Sequence, residues 1–271
     1  RAASEAGLQS FERFILLPAW TFDPDPITAA RLLVRSPYMA SQAYTQRLAS
    51  AAGRGVLVQV TQDEYRLTEA GRRIADRIVE AAYACMATLE PMPPADQERL
   101  LPLLRRIVEA SLTAPQPPSK WCITHSRRTD PGVRAPLLVK IDQYLSDLGA
   151  YRDDAHLAAW QPLGFSGAAW ETLTYIWRGE ATSLDELCAK LERRGHPRAI
   201  YDEARRDLAR RGLIEEKAGA YRVTEQGKAL RQEAEDRTDQ YFYVPWACLS
   251  ESEIGELRDL LTRLRDGLRQ H

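Results

Sequence analysis

One segment of this chain occurs twice. EYRLTEAGRR at 64–73 and AYRVTEQGKA at 220–229 share Tyr, Arg, Thr, Glu and Gly in one register. In each copy Tyr-Arg-Leu or Tyr-Arg-Val alternates as a strand does, and the following threonine sits where it can cap a helix. A glycine and an apolar pair precede each copy, Gly55-Val-Leu and Gly212-Leu-Ile, separated from it by a polar turn: Thr61-Gln-Asp-Glu64 or Lys217-Ala-Gly219-Ala. The chain must therefore build strand, turn, strand and helix at two places. The likeness continues downstream. Each helix (68–89 and 224–242) runs to a proline break, Pro91-Met-Pro-Pro94 or Pro245, and then to an acidic start and a leucine-rich helix. The first of these carries Leu100, Leu103, Leu104, Ile107 and Val108. The second carries Ile254, Leu257, Leu260, Leu261, Leu264 and Leu268, behind a capping-box spacing at Ser250 and Glu253. A repeat of two units does not make a solenoid.

The segment Phe165 to Gly227 shows what lies upstream of the second copy. Ser183 and Glu186 have capping-box spacing, and Leu184, Leu187, Cys188 and Leu191 follow on one helical face. Gly195 stops that helix and Pro197 opens the next. There Ile200, Ala204 and Leu208 recur every four residues, predicting a core face, with Arg198, Asp202, Arg205 and Arg206 pointing outward. The first unit reads similarly: an apolar and aromatic helix from Leu8 to Phe22 (Phe11, Phe14, Ile15, Leu16, Leu17, Trp20), then Ile27 to Val34 and Tyr38 to Ala52, closed by Gly53-Arg-Gly55.

The run DLARRGLIEE followed by YRVTEQGKAL resembles the recognition-helix end, wing and exit of the MarR-like winged helix-turn-helix transcriptional regulators. The order wing, long helix, break, leucine-rich helix is that of a MarR-like protomer, whose terminal helices normally build a dimer interface. Two such units in one chain imply an intramolecular pseudo-dimer. The expected fold is mainly α with small β wings, a tandem winged helix-turn-helix: 1–112 a first module, 156–271 a second, and 113–155 a connector. The connector carries Pro115, Pro117 and Pro118, a partly apolar, basic stretch Trp121 to Arg128, and one amphipathic helix from Pro136 to Leu148 with Leu138, Ile141, Leu145 and Leu148 on one face.

Composition restricts the function classes. A length of 271 residues favours two domains, and 44% hydrophobic residues can supply real cores. Charged residues make up 28% and nearly cancel to −1, so contact with nucleic acid must rest on a local basic patch. No apolar run approaches the roughly 18 residues of a membrane span, and no signal-peptide pattern opens the chain. Cys85, Cys122, Cys188 and Cys248 are scattered, which suits a reducing, cytoplasmic compartment. Cys122 and His125 have a C-x-x-H spacing without two further ligands; they read as a structural cysteine and a surface histidine. The other histidines are His156, His196 and His271. Gly164-x-x-Gly167 lacks a phosphate-loop fingerprint and no nucleophile motif is present, so neither an enzyme nor a cofactor is expected.

The resemblance implies double-stranded DNA as partner. On the helix after Pro197, Arg198, Arg205 and Arg206 are candidates for phosphates or guanine edges, with Arg194 just before it and Lys217 and Arg222 on the wing. The bland alternative is a solvated face whose arginines pair with Glu192, Asp202, Glu203 and Asp207. The first unit offers Gln42, Gln46 and Arg47, although counting from the matched glycines sets Arg47 opposite the core residue Ala204. Aromatics gather in the second unit, most of them as core. In MarR-like proteins a small-molecule effector binds where the dimerisation helices meet the winged helix, which makes Trp170, Trp177, Arg178 and Tyr241 candidate walls here. A second function class stays open, a tandem winged-helix scaffold that binds protein and no DNA, because fold does not dictate function. Two basic recognition helices about one DNA turn apart would favour the regulator.

Overall fold

The computed structural model describes residues 10–270; Leu8, Gln9 and His271 lie outside it, as do the side chains of residues 10–14, Phe11 and Phe14 among them. In chain order come α1 (Ser10–Phe22), α2 (Ala29–Arg35), α3 (Ser41–Gly53), strands β1 (Leu57–Gln59) and β2 (Tyr65–Leu67), α4 (Glu69–Ala87), α5 (Pro94–Thr113), α6 (Trp121–Ser126) and α7 (Leu137–Trp160). There follow α8 (Gly167–Trp177), α9 (Leu184–Lys190), α10 (Arg198–Arg210), β3 (Ile214–Lys217), β4 (Ala220–Val223), α11 (Glu225–Tyr243) and α12 (Glu251–Leu268). The chain is mainly helical. Each strand pair is an antiparallel hairpin, Leu57 opposite Leu67 and Ile214 opposite Val223.

The repeated segments do the same physical work. Thr68 Oγ1 accepts from Gly71 N (3.0 Å) and donates to the Gly55 carbonyl (2.7 Å). Thr224 Oγ1 accepts from Gly227 N (3.1 Å) and donates to the Gly212 carbonyl (2.6 Å). Each threonine thus caps its long helix while tying it to the residue that opens the hairpin. The glycine one turn on is required by close approach: a Cβ on Gly71 or Gly227 would lie 2.0 or 2.1 Å from the carbonyl oxygen of Val56 or Leu213.

Two cores result. Ile15, Leu16, Phe22, Ile27, Leu48, Val56, Tyr65 and Ala75 form a small one inside the first unit. The larger core joins α5, α6 and α7 to the whole second unit. In it α5 lies antiparallel to α12, burying Leu100, Leu103, Leu104 and Ile107 with Leu257, Leu260 and Leu264; Leu261 is only half-buried. Equivalent positions, taken at the 157-residue separation of the helix starts Pro94 and Glu251, exchange partners across this contact. Arg263 pairs with Asp96 (2.8 Å) and Arg106 with Glu253, while Arg99 meets its own equivalent, Glu256 (2.6 Å).

The stretch expected as a connector, 113–155, is packed into the larger core. Helix α7 runs through the 155/156 boundary without a break and packs against α5, α6 and α11 as the spine of the larger core. Its mid-helix acids, which suggest a solvated face, are internal: Asp147 accepts from Ser126 Oγ (2.7 Å), Gln143 Nε2 (2.8 Å) and Arg127 (2.8 Å), and Asp154 caps α6 by accepting from the backbone N–H groups of Cys122 (2.8 Å) and Ile123 (3.0 Å). Burial raises the Asp154 pKa, and those two N–H bonds offset only part of the rise. The leucine face of α5, the last helix of the first unit by sequence, is covered by α7 and α12.

Candidate nucleic-acid interface

Helix α10 is set by its flanking residues. Ser183 caps α9 by accepting from Glu186 N (3.2 Å), and Gly195 closes the following turn at φ +74°, left-handed backbone that glycine adopts without strain. Tyr201, Ala204 and Leu208 then form the buried face; Ile200, expected there, is half-buried one step round the helix. The opposite face carries five arginines against Asp202, Glu203 and Asp207 over 198–211. Asp202 is shared by Arg205 (3.0 Å) and Arg206, Asp207 by Arg210 (3.2 Å) and Arg211 (2.8 Å), and Arg198 reaches Asp185. Arg198 and Arg206 keep more than half of their side-chain area exposed, 57% and 67%. Arg205 is less available: its side chain is 21% exposed and its guanidinium lies 5.3 Å from the Tyr221 ring centre. Lys217 and Arg222 are exposed on the β3–β4 hairpin beside Glu215 and Glu216. The face therefore has arginines in the right places, each already holding an acid.

Arg194 does not face outward with them. It makes a two-pronged contact with Glu171 on α8 (2.9 and 2.5 Å), and its guanidinium lies 5.6 Å from the Tyr38 ring centre of the first unit. Burial raises the Glu171 pKa, against the lowering effect of Arg194. Its neighbours continue this contact. The Arg194 carbonyl accepts from Ala40 N (2.9 Å), His196 Nε2 lies 3.0 Å from the Tyr38 carbonyl, and a Cβ on Gly195 would come 2.8 Å from that of Ala43. The turn before α3 thus abuts the turn before α10. Gln42 and Gln46 are exposed on α3, whereas Arg47 is half-buried and donates to the Arg193 carbonyl (3.3 Å). Arg198 lies four residue steps beyond Arg194, a span of at most about 14 Å, so the two helix N-termini lie within roughly 20 Å. Successive entries into the major groove are ~34 Å apart.

Behind this junction is a cavity of about 360 Å³ between α7, α8, α11 and the α2–α3 turn. Of the expected effector walls, Trp170 lines it and Arg178 stands exposed at its rim. Trp177 is set one layer back, and Tyr241 lies elsewhere on α11, its carbonyl accepting from Tyr151 Oη (3.0 Å). Sequence reasoning passed over Arg231, which reads as a surface residue in RQEAED. It is 1% exposed, its guanidinium between the rings of Trp170 (4.4 Å) and Trp177 (4.9 Å). The available signal was the spacing of those tryptophans, two turns apart on one helix face. Burial lowers the Arg231 pKa, opposed by Glu235.

His125 is half-buried. It stacks between Phe22 (4.2 Å) and Trp121 (4.7 Å), and burial, then Arg128, lowers its pKa to about 4. Cys122 beside it is buried, and among the described residues no group of three or more His, Cys, Asp or Glu side chains is placed to hold a metal. Among the same residues no helix is long and apolar enough to cross a membrane.

Residues 148–271 match the model of a helix-turn-helix family. No curated protein and no solved structure matches the chain. The matched span begins inside α7 and takes in α8, α9, α10 and the β3–β4 hairpin, the helix-turn-helix and its wing. Helix-turn-helix domains dock their second helix in the major groove, and this general reading, a DNA-binding domain, is the one the match supports.

Proposed function

We propose that this chain is a DNA-binding transcriptional regulator rather than an enzyme, built as a MarR-like pseudo-dimer within one polypeptide and responsive to a small effector. The observation that carries it is the α10 face: Arg198, Arg206 and Arg210 are exposed along the helix that follows the turn closed by Gly195, next to a hairpin presenting Lys217 and Arg222, all inside the helix-turn-helix match. The exchange of Asp96–Arg263 for Arg106–Glu253 supports the pseudo-two-fold relation. On this reading α10 and its wing supply the main contact. Helix α3, with a single half-buried arginine, adds at most the exposed Gln42 and Gln46.

The test is binding to random duplex DNA by fluorescence anisotropy over a salt series. Each phosphate contact contributes ~0.9 to the slope of log K against log salt, so Arg198→Ala with Arg206→Ala should weaken binding and flatten the slope by up to ~1.8. Wild-type protein with no duplex affinity at low salt, or a double variant with the parental slope, refutes the proposal. A specific observation favours the scaffold reading in that case: the abutting turns hold the two helix N-termini too close for successive grooves, and every α10 arginine already has an acidic partner.

A further inference from the structure

Helix α7 packs against both α5 of the first unit and α11 of the second, and the equivalent faces of α12 and α4 have no such helix on them. On α5, Leu104, Val108 and Ser111 are buried, with α7 packed along the helix. At the 157-residue separation of the helix starts their counterparts on α12 are Leu261, Arg265 and Leu268, and none of the three is buried. The long helices show the same difference. Ala234 and Thr238 are buried where α7 crosses α11, Thr238 Oγ1 lying 3.4 Å from His156 Nδ1. At the 156-residue separation of Gly71 and Gly227 their counterparts on α4 are Ile78, half-buried, and Ala82, exposed. Among the described elements, α5 is the only one that α12 packs along.

These uncovered faces are nonetheless apolar. Ile254, Leu261 and Leu268 recur every seven residues on α12, with Ile254 40% and Leu268 43% exposed. Ile78, Ala82 and Cys85 recur at helical spacing on α4. Beside α12 opens a cleft of about 350 Å³, with Trp246, Ile254, Leu257 and Leu261 as its apolar lining and Arg258 and Arg265 at its edge. The C-terminal end of α12 meets the break that follows α4, where Gly267 lies so close to the Pro91 carbonyl that no side chain would fit. An exposed apolar stripe with a polar rim marks an interaction surface.

We infer that the groove between α4 and α12 takes up an acidic amphipathic helix of a partner protein, seated as α7 is seated between α11 and α5. The stripe from Ile254 to Leu268 is roughly 21 Å long, which suits a helix laying successive apolar anchors into a groove. Carboxylates on the incoming helix pair with Arg258 and Arg265, whose side chains are 79% and 57% exposed and reach only along the helix, to the adjacent Asp259 and Asp266. The same arginines argue against a second copy of the chain as the occupant. With a two-fold axis at Leu261, Arg258 of each copy would stand beside Arg265 of the other, a repulsive pairing. The correspondence between the two grooves rests on the pseudo-dimer proposed above.

The experiment is fluorescence anisotropy of the full chain, without DNA, with two labelled peptides as probes. One is the α7 sequence, residues 137–160, which carries four aspartates; the other is an idealised helix with leucines at three- and four-residue spacing and glutamates along its edges. A scrambled α7 peptide is the control. At least one probe should bind tenfold or more tightly than the control. Ile254→Glu with Leu268→Glu should weaken that binding at least tenfold. Arg258→Gln with Arg265→Gln should weaken it several-fold with the melting temperature unchanged, since both side chains are exposed. Neither probe binding, equal binding of the control, or unaltered affinity in either variant would overturn the inference. So would a dimer in sedimentation equilibrium that Ile254→Glu with Leu268→Glu abolishes, because the occupant would then be a second copy. Duplex binding without peptide uptake removes the groove and leaves the regulator; peptide uptake here by a protein that ignores duplex DNA does the reverse.

Discussion

Replacing Gly195 by alanine should loosen the junction of the two units, by an amount that follows from two separate penalties. The first is conformational. At φ +74° an L-residue with a Cβ is strained by about 1–2 kcal/mol. The second is steric. The new Cβ would stand 2.8 Å from the Ala43 Cβ, against the 3.5–4.0 Å at which two carbons rest, and forced overpacking of this kind costs typically 1–3 kcal/mol. The sum is a destabilisation of about 2–5 kcal/mol, read from the urea midpoint at constant m-value. The two parts separate in a double-mutant cycle. Ala43→Gly removes the facing methyl, at about 1 kcal/mol for glycine within α3, and should recover the steric part in the Gly195→Ala background without touching the backbone part. A coupling energy of at least ~1 kcal/mol is expected. If Gly195→Ala shifts stability by less than ~0.5 kcal/mol, or if the two changes add without coupling, the α3 turn does not rest on the α9–α10 turn and the argument about helix spacing fails with it.

Two further outcomes follow from burial. Leu260→Ala should cost about 2–5 kcal/mol, as large-to-small changes at closed sites do, and the adjacent Leu261→Ala clearly less, because Leu260 is 2% exposed and Leu261 only half-buried; equal losses in chemical denaturation would show that α12 has a different rotation. Burial lowers the pKa of both His125 and His156 to about 4, below the usual 6.5, so the unfolded chain binds the protons first. Stability should be complete above about pH 6.5 and fall as the pH drops toward 4. A double His→Gln variant should flatten that part of the urea-derived stability curve, and an unchanged slope would mean that neither ring is held neutral.

What was legible in the sequence was what short-range chemistry encodes. The hairpins, the threonine caps and the glycines under them were readable because each needs a particular residue at a particular position. The leucine-rich helices were readable from their period, although not whether Leu260 or Leu261 faced inward, since both fit a broad stripe. Long-range compensation was not readable. Asp147 and Asp154 look like solvated charges in SDLGAYRDD, and only α6 packed across them turns one into a cap and the other into the acceptor for three donors. Arg231 likewise looks superficial until Trp170 and Trp177 close over it. A charge is buried by what folds onto it, and that information lies elsewhere in the chain. The pairing of Arg194 with Glu171 was not readable for the same reason, its partner lying on a different helix.

The α5–α12 contact supplies the strongest physical reason for joining two such units in one chain. On the pseudo-dimer reading, a two-fold axis must pass where a position meets its own equivalent, and here that position is Arg99 facing Glu256. Two identical chains cannot make this contact. In a homodimer the same residue stands on both sides of the axis, so an arginine there faces an arginine and a glutamate a glutamate, both of them repulsive pairings. Fusion lifts that restriction, because the two copies of a position are then free to differ. The flanking pairs, Asp96 with Arg263 and Arg106 with Glu253, need no such divergence; an acid and an arginine related by the axis would pair in a homodimer as well. On the same reading, that freedom accounts for the inequality of α3 and α10. Once the units are covalently joined, α10 can carry five arginines with its turn while α3 keeps two glutamines and one arginine, and turns its N-terminus to the junction instead.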